Sequence, residues 1–175
     1  RADSFVVDPH KWLFSPFDCA ALLYRDPSLA RLALSQHAAY LDPLDPTAAL
    51  NPSDLGVHMT RRVRGLPLWF SLTAHGAAAY DDAVTRGLEL AQAAARRIDD
   101  AAHLELVMEP ELSVVLFRRP GFTPEQYQAW SDDALASGLA LVEPTTYRGE
   151  TVFRFCFVNP TTTVDDIDTV LDAMR

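Results

Sequence analysis

Lys11 stands in Asp8-Pro9-His10-Lys11-Trp12, directly after the strand-like run Ser4-Phe5-Val6-Val7. A lysine on a tight turn at a strand's end can be held rigidly while its amine faces a cleft. Flanked by a histidine and aromatic side chains, such an amine can shed its proton and attack a carbonyl carbon. A solvated turn carries the same pair of residues, so spacing alone leaves both readings open. Two further cations invite attention. Arg61 opens the cluster Arg61-Arg62-Val63-Arg64, and Arg154 lies between Phe153 and Phe155. On a strand, Arg154 points opposite to the two aromatics, and if buried it needs a counter-charge. His37, His58, His75 and His103 show no metal-ligand spacing. Neither a glycine-rich phosphate loop nor a Ser-His-Asp pattern is present.

The elements that must position these residues follow from local pattern. Residues 4–8 and 19–24 read as two strands joined by the Lys11 turn, and Phe14, Pro16 and Phe17 suggest a packed connection. Asp26-Pro27-Ser28 starts a short amphipathic helix reaching about Gln36. From Tyr40 to His58 the chain is proline-rich and aperiodic, either a functional loop or a surface linker. A helix is expected from Arg62, kinked near Pro67, then a long one carrying Tyr80, Val84, Leu88, Ala91, Ala95 and Ile98 on one face. Beyond it, the pattern predicts a strand at Leu112–Arg118, a short one possible before it at Leu104–Met108, and strands at Leu139–Val142 and Thr151–Val158. Thr123-Pro124-Glu125-Gln126 and Thr163-Val164-Asp165-Asp166 predict two capped helices.

A formal charge of -9 over 175 residues argues against nucleic acid or an anionic membrane as partner, because those surfaces reward clustered Lys and Arg. Cys19 and Cys156 fall in apolar runs and read as buried, reduced thiols of a cytoplasmic protein. Trp12, Trp69 and Trp130 read as core residues. No apolar stretch approaches the length of a membrane span.

Three blocks together resemble the group II pyridoxal-phosphate decarboxylases, a family that includes aromatic-amino-acid, glutamate, histidine and diaminobutyrate decarboxylases. They are Asp3–Phe14 with Phe17–Tyr24, then Thr60-Arg61-Arg62-Val63-Arg64-Gly65-Leu66-Pro67-Leu68-Trp69-Phe70, and Val152–Pro160. The resemblance implies an α/β protein of fold-type I: residues 1–78 as the C-terminal part of the cofactor-binding large domain, with cofactor lysine and active-site loop, and residues 79–175 as a bridging helix plus a small α+β domain. It implies decarboxylation of an L-amino acid with pyridoxal 5'-phosphate, held by Lys11 as the internal aldimine. His10 would reach the cofactor phosphate, orient the aldimine, or merely pack the turn. Arg61 would anchor the loop against the active site, with Arg62 and Arg64 at the surface or an interface. Arg154 would approach the substrate carboxylate or form a salt bridge within its own lobe. A homodimer with its active site at the subunit interface is implied as well. The resemblance places the ring-stacking residue, the pyridine-nitrogen aspartate and most of the phosphate cradle upstream of Arg1, so the chain is expected to lack an N-terminal part of such an enzyme.

Two departures bear on the chemistry. Asp8 stands where many relatives have asparagine, and a carboxylate beside a phosphate is repulsive unless it turns away or meets a cation. The loop 41–59 has no tyrosine, the residue that protonates the carbanion in aromatic-amino-acid decarboxylases. Tyr40 is early for that task and His58 is another candidate donor. The alternatives are therefore a decarboxylating aldehyde synthase or other lyase using the same cofactor, and a non-catalytic dimerisation module.

Overall fold

The computed structural model describes residues 2–36 and 52–175. The chain divides into two compact units, Arg1–Gly76 and Ala77–Arg175.

In the first unit, β1 (Ser4–Val7) pairs antiparallel with β2 (Ala21–Tyr24), Ser4 opposite Tyr24 and Val7 opposite Ala21. Between them the chain makes one helical turn, α1 (Pro9–Trp12), with Pro9 preset for the first helical position. Ser15 N–H closes back on the Pro9 carbonyl at 2.9 Å, so residues 9–15 form a compact corner. The expected packed connection is only partly so: Phe14 is half-buried, whereas Phe17 is 86% exposed. Asp26 caps α2 (Pro27–Leu34) by accepting from Ser28 N–H at 2.9 Å. The expected aperiodic segment and its Tyr40 lie largely outside the described residues. Where description resumes, Pro52–Leu55 forms a 3-10 turn.

The helical run α3 (Gly65–Asp100) is interrupted at Gly76, with φ 78° and ψ 158°, a conformation open essentially to glycine alone. The kink predicted at Pro67 is absent. Pro67 is the third helical residue, and N–H groups of a first turn have no acceptor within the helix, so proline costs nothing there.

The second unit is a two-layer structure. A four-stranded antiparallel sheet, ordered β3 (Glu105–Leu106), β4 (Val114–Arg118), β6 (Glu150–Cys156), β5 (Pro144–Tyr147), presents Val115, Phe117, Phe153 and Phe155 to its core. Leu90, Ala91, Ala94 and Ile98 of α3, Tyr127 of α4 (Pro124–Ala136) and Ile167, Val170 and Leu171 of α5 (Val164–Asp172) pack with them. Both predicted capping boxes are present, Thr123 with Gln126 and Thr163 with Asp166. The predicted strand at Leu139–Val142 is displaced to Pro144–Tyr147. It is set there by a two-residue hairpin, with Tyr147 opposite Glu150, and Arg148 (φ 51°) and Gly149 (φ 86°) both left-handed. No side chain crowds Gly149, so Gly149→Ala should cost only backbone strain, about 1–2 kcal/mol, read as a lower thermal midpoint.

Two burial expectations are corrected, that for Cys156 by strand alternation and that for Trp69 on α3 by its exposure. Cys156 lies on the sheet face away from the helices and is exposed, while Cys19 is buried; both thiols are free. Trp69 is 57% exposed, whereas Trp130 packs against the core.

Candidate active site

The site is best built from the corner that carries Lys11. α1 presents His10 and Lys11 in its last turn. Asp8 stands at the cap position without capping the helix; its carboxylate instead receives Lys11 Nζ at 2.6 Å. The hydrogen bond from Lys11 holds the Asp8 carboxyl below its ordinary range, against a smaller opposing effect of desolvation. Asp8 thus meets the condition its chemistry sets, a cation at hand. The Lys11 side chain is 65% exposed, so its amine is open to an incoming carbonyl once the proton shared with Asp8 is given up.

His10 is fixed more firmly. Its Nδ1 lies 2.5 Å from the Cys19 carbonyl oxygen, and its backbone N–H donates to the same oxygen at 3.2 Å. Nδ1 also lies 3.2 Å from the Cys19 amide N, but the carbonyl contact is the shorter, and taking it makes Nδ1 the donor and leaves Nε2 as the open nitrogen. The Phe17 ring meets the imidazole edge-on at 5.0 Å. Two neighbouring polar atoms, Trp12 Nε1 and Ser15 Oγ, are buried without a hydrogen-bond partner among the described residues. Unmet buried donors are costly, and a ligand bearing acceptor oxygens relieves them.

The arginine cluster divides its work. Arg61 donates to the Pro52 carbonyl, and its guanidinium fills the space beside Gly56, where an added Cβ would lie 2.8 Å from Nη1. It therefore ties residues 52–56 to the segment after them. Among the described residues it makes no bond to Lys11 or His10. Arg62 and Arg64, expected at a surface or interface, both grip Asp18: Arg62 Nη2 to Oδ1 at 2.6 Å and Arg64 Nε to Oδ2 at 2.9 Å. Sequence reasoning missed Asp18, since nothing local announces a pairing across 44 and 46 residues.

The Arg64 hydrogen bond, foremost, holds the Asp18 carboxyl below its ordinary range, with desolvation opposing. A depressed folded pKa stabilises fully above the ordinary carboxylate range and is lost as pH falls through the lower folded value. Exchange of the His10 amide, which donates to the Cys19 carbonyl, should therefore, scaled to its intrinsic rate, stay protected at neutral pH and lose protection only below about pH 4. Asp18→Asn should abolish that acid step.

Arg154, in the second unit, points away from the core as alternation requires, is exposed, and forms no ion pair among the described residues. The cross-strand salt bridges of its sheet belong to Arg118, with Glu105 at 2.9 Å and Glu150 at 2.6 Å. His58 is exposed. A cavity of about 310 Å³ in the second unit, lined in part by Leu141, Val142, Phe155, Asp166 and Val170, includes none of Lys11, His10, Arg61 or Arg154.

Residues 1–119 match the pyridoxal-dependent decarboxylase conserved domain. The chain belongs to the pyridoxal-dependent decarboxylase family. It is 29% identical over 180 residues to an aromatic-L-amino-acid decarboxylase of Bacillus atrophaeus, covering 95% of this chain and 37% of that protein. It is also similar to a phenylacetaldehyde synthase of Petunia hybrida, 26% identical over 190 residues, spanning 100% of this chain and 38% of the relative. Mouse CSAD in apo form superposes with a TM-score of 0.77 at 28% identity, over 99% of this chain and 39% of that one. The chain thus spans under two-fifths of the length of these relatives. The fold is that of fold-type I enzymes of this family, whose cofactor is pyridoxal phosphate. The residues of the Lys11 corner fit that group in kind: an accessible amine for its aldehyde, and, within four residues along the chain, the unmet donors Trp12 Nε1 and Ser15 Oγ for an oxygen-rich ligand. Among the described residues, no helix is long and apolar enough to cross a membrane.

Proposed function

We propose that the native-length protein decarboxylates an L-amino acid to the amine and carbon dioxide, with Lys11 as the lysine that binds pyridoxal phosphate. The observation that carries this reading is the Lys11 corner itself: an exposed amine on one rigid helical turn, beside an imidazole whose Nδ1 is committed to the Cys19 carbonyl. When bound, the cofactor supplies the electron sink that lets a bond at the substrate α-carbon break. Asp8 Oδ2 accepts a hydrogen bond from the Lys11 ammonium, and the nitrogen gains its nucleophilic lone pair when that proton passes to solvent. His10, held at Nδ1, presents Nε2 to hydrogen-bond an anionic group or to pass a proton. Arg154, without a counter-charge among the described residues, is a cation free to meet the substrate carboxylate.

A homodimer with its active site at the subunit interface is in keeping with the apolar surface of the first unit, where Val63, Leu66, Trp69 and Phe70 are all exposed. A cytoplasmic setting agrees with two free thiols. The large-domain and small-domain assignments, 1–78 and 79–175, are supported by the division of the chain into compact units after Gly76.

The test is borohydride reduction of the native-length protein with pyridoxal phosphate, followed by peptide mass mapping. A phosphopyridoxyl group confined to Lys11 is expected; an intact, folded protein left unmodified at Lys11 would sink the reading and leave the dimerisation module in its place. A second reading, the decarboxylating aldehyde synthase, is favoured by the absence of tyrosine from residues 41–59 and by the likeness to the Petunia phenylacetaldehyde synthase. Product analysis separates the two: amine alone for the first, aldehyde with peroxide for the second.

A further inference from the structure

We propose that Asp18, gripped by Arg62 and Arg64, is a positioning residue that sets the imidazole of His10. The inference rests on the reading of His10 and Lys11 as cofactor residues. Phe17 and Asp18 lie outside any strand or helix, so no ladder fixes them. Yet the residues flanking Asp18 are the ones that hold His10. Cys19 offers its carbonyl to the ring and to the backbone N–H, and its own amide N lies 3.2 Å from Nδ1. Phe17 stands edge-on to the ring at 5.0 Å. The side chain between them is anchored through both carboxylate oxygens, one to each arginine. Two charge-assisted bonds to separate oxygens fix a carboxylate's orientation as well as its place. The strap Phe17–Cys19 is therefore clamped at its centre and grips the imidazole with its two ends.

The consequence is for Nε2. With Nδ1 committed, the position of Nε2 follows the Cys19 carbonyl, and a shift of that carbonyl misplaces it relative to the Lys11 amine. Arg61, in the same short segment, is occupied with the Pro52 carbonyl and takes no part in the clamp.

The test uses the native-length protein as Asp18→Asn, Asp18→Glu and the double variant Arg62→Gln/Arg64→Gln. In cofactor-free protein, amide exchange at His10 should rise in Asp18→Asn and in the double variant, while the Phe153 and Phe155 amides of the second unit keep their protection. In loaded enzyme, kcat should fall about tenfold to a hundredfold, as small misplacements remote from the chemistry do, with KM changed by less than about twofold. Borohydride should still fix the cofactor on Lys11, and Asp18→Glu should regain part of kcat. Wild-type exchange and kcat in Asp18→Asn overturn the proposal. So does a general loss of protection with no recovery in Asp18→Glu, which marks a merely structural residue. If Asp18→Asn does not fold, the arginine double variant decides. Should wild-type protein fail to trap cofactor on Lys11, the function falls, and the exchange data on cofactor-free protein still decide whether Asp18 holds His10.

Discussion

Replacing Lys11 with alanine is expected to abolish the borohydride-fixed cofactor adduct and to lower turnover by about 10⁴-fold or more, the scale on which removing one member of a covalent catalytic set falls. The fold should be indifferent to the change. The Lys11 side chain is 65% exposed, and its described partner is Asp8, itself 35% exposed. Exposed ion pairs of this kind contribute little to stability. Lys11→Arg separates charge from chemistry: it can keep the pairing with Asp8 but offers no nucleophilic amine. Equal losses in both variants, with unchanged thermal midpoints, would assign the effect to the amine. Turnover surviving in Lys11→Ala would remove Lys11 from the reaction.

The largest expected loss of stability belongs to Phe153→Ala. Phe153 has no solvent exposure, and its ring meets Tyr127 at 4.5 Å, Trp130 at 5.2 Å and Phe117 at 5.6 Å. It lies in mid-β6, between the sheet and α4, where no loop can collapse into the vacated space. Phe→Ala in a site of this kind costs about 3–5 kcal/mol, from lost transfer energy plus the cavity left behind. That is a large share of the roughly 5–15 kcal/mol that holds a domain folded. A urea titration followed by fluorescence should show the transition moving to much lower urea, or missing. Leu135→Ala on α4 is the control: Leu135 is 57% exposed, and its change should stay within about 0.5 kcal/mol. A small shift for Phe153→Ala would mean that the aromatic cluster is not the centre of the second unit's core.

The second unit was the more legible part of the chain. Thr123 and Thr163 announce their helices because a capping box is written in residues three apart, and both boxes form as read. The alternation around Phe153 and Phe155 likewise places Arg154 on the outer face without any knowledge of the fold. β5 was misplaced because Arg148-Gly149 lacks the asparagine or aspartate that usually marks a two-residue hairpin, so the apolar run before it looked more strand-like than Pro144–Tyr147. Pro67 was misread because a proline's cost depends on where its helix begins, and the start at Gly65 was not legible to within a turn. In the first unit, Lys11 and His10 stood out through local sequence. Asp18 did not, because its meaning lies wholly in arginines that only the fold brings to it.

The exposed thiol of Cys156 gives the protein a built-in footprint. Of the two cysteines in this sequence Cys156 is exposed and Cys19 buried, so alkylation read on the Cys156 peptide reports on one place: the outer face of the β4–β6 sheet, which Cys156 shares with Arg154. Alkylation as fast as that of a small free thiol would mark that face as open to solvent in the native-length protein. Slow alkylation, restored by urea, would mark it as covered, and would do so without a structure of the assembled enzyme.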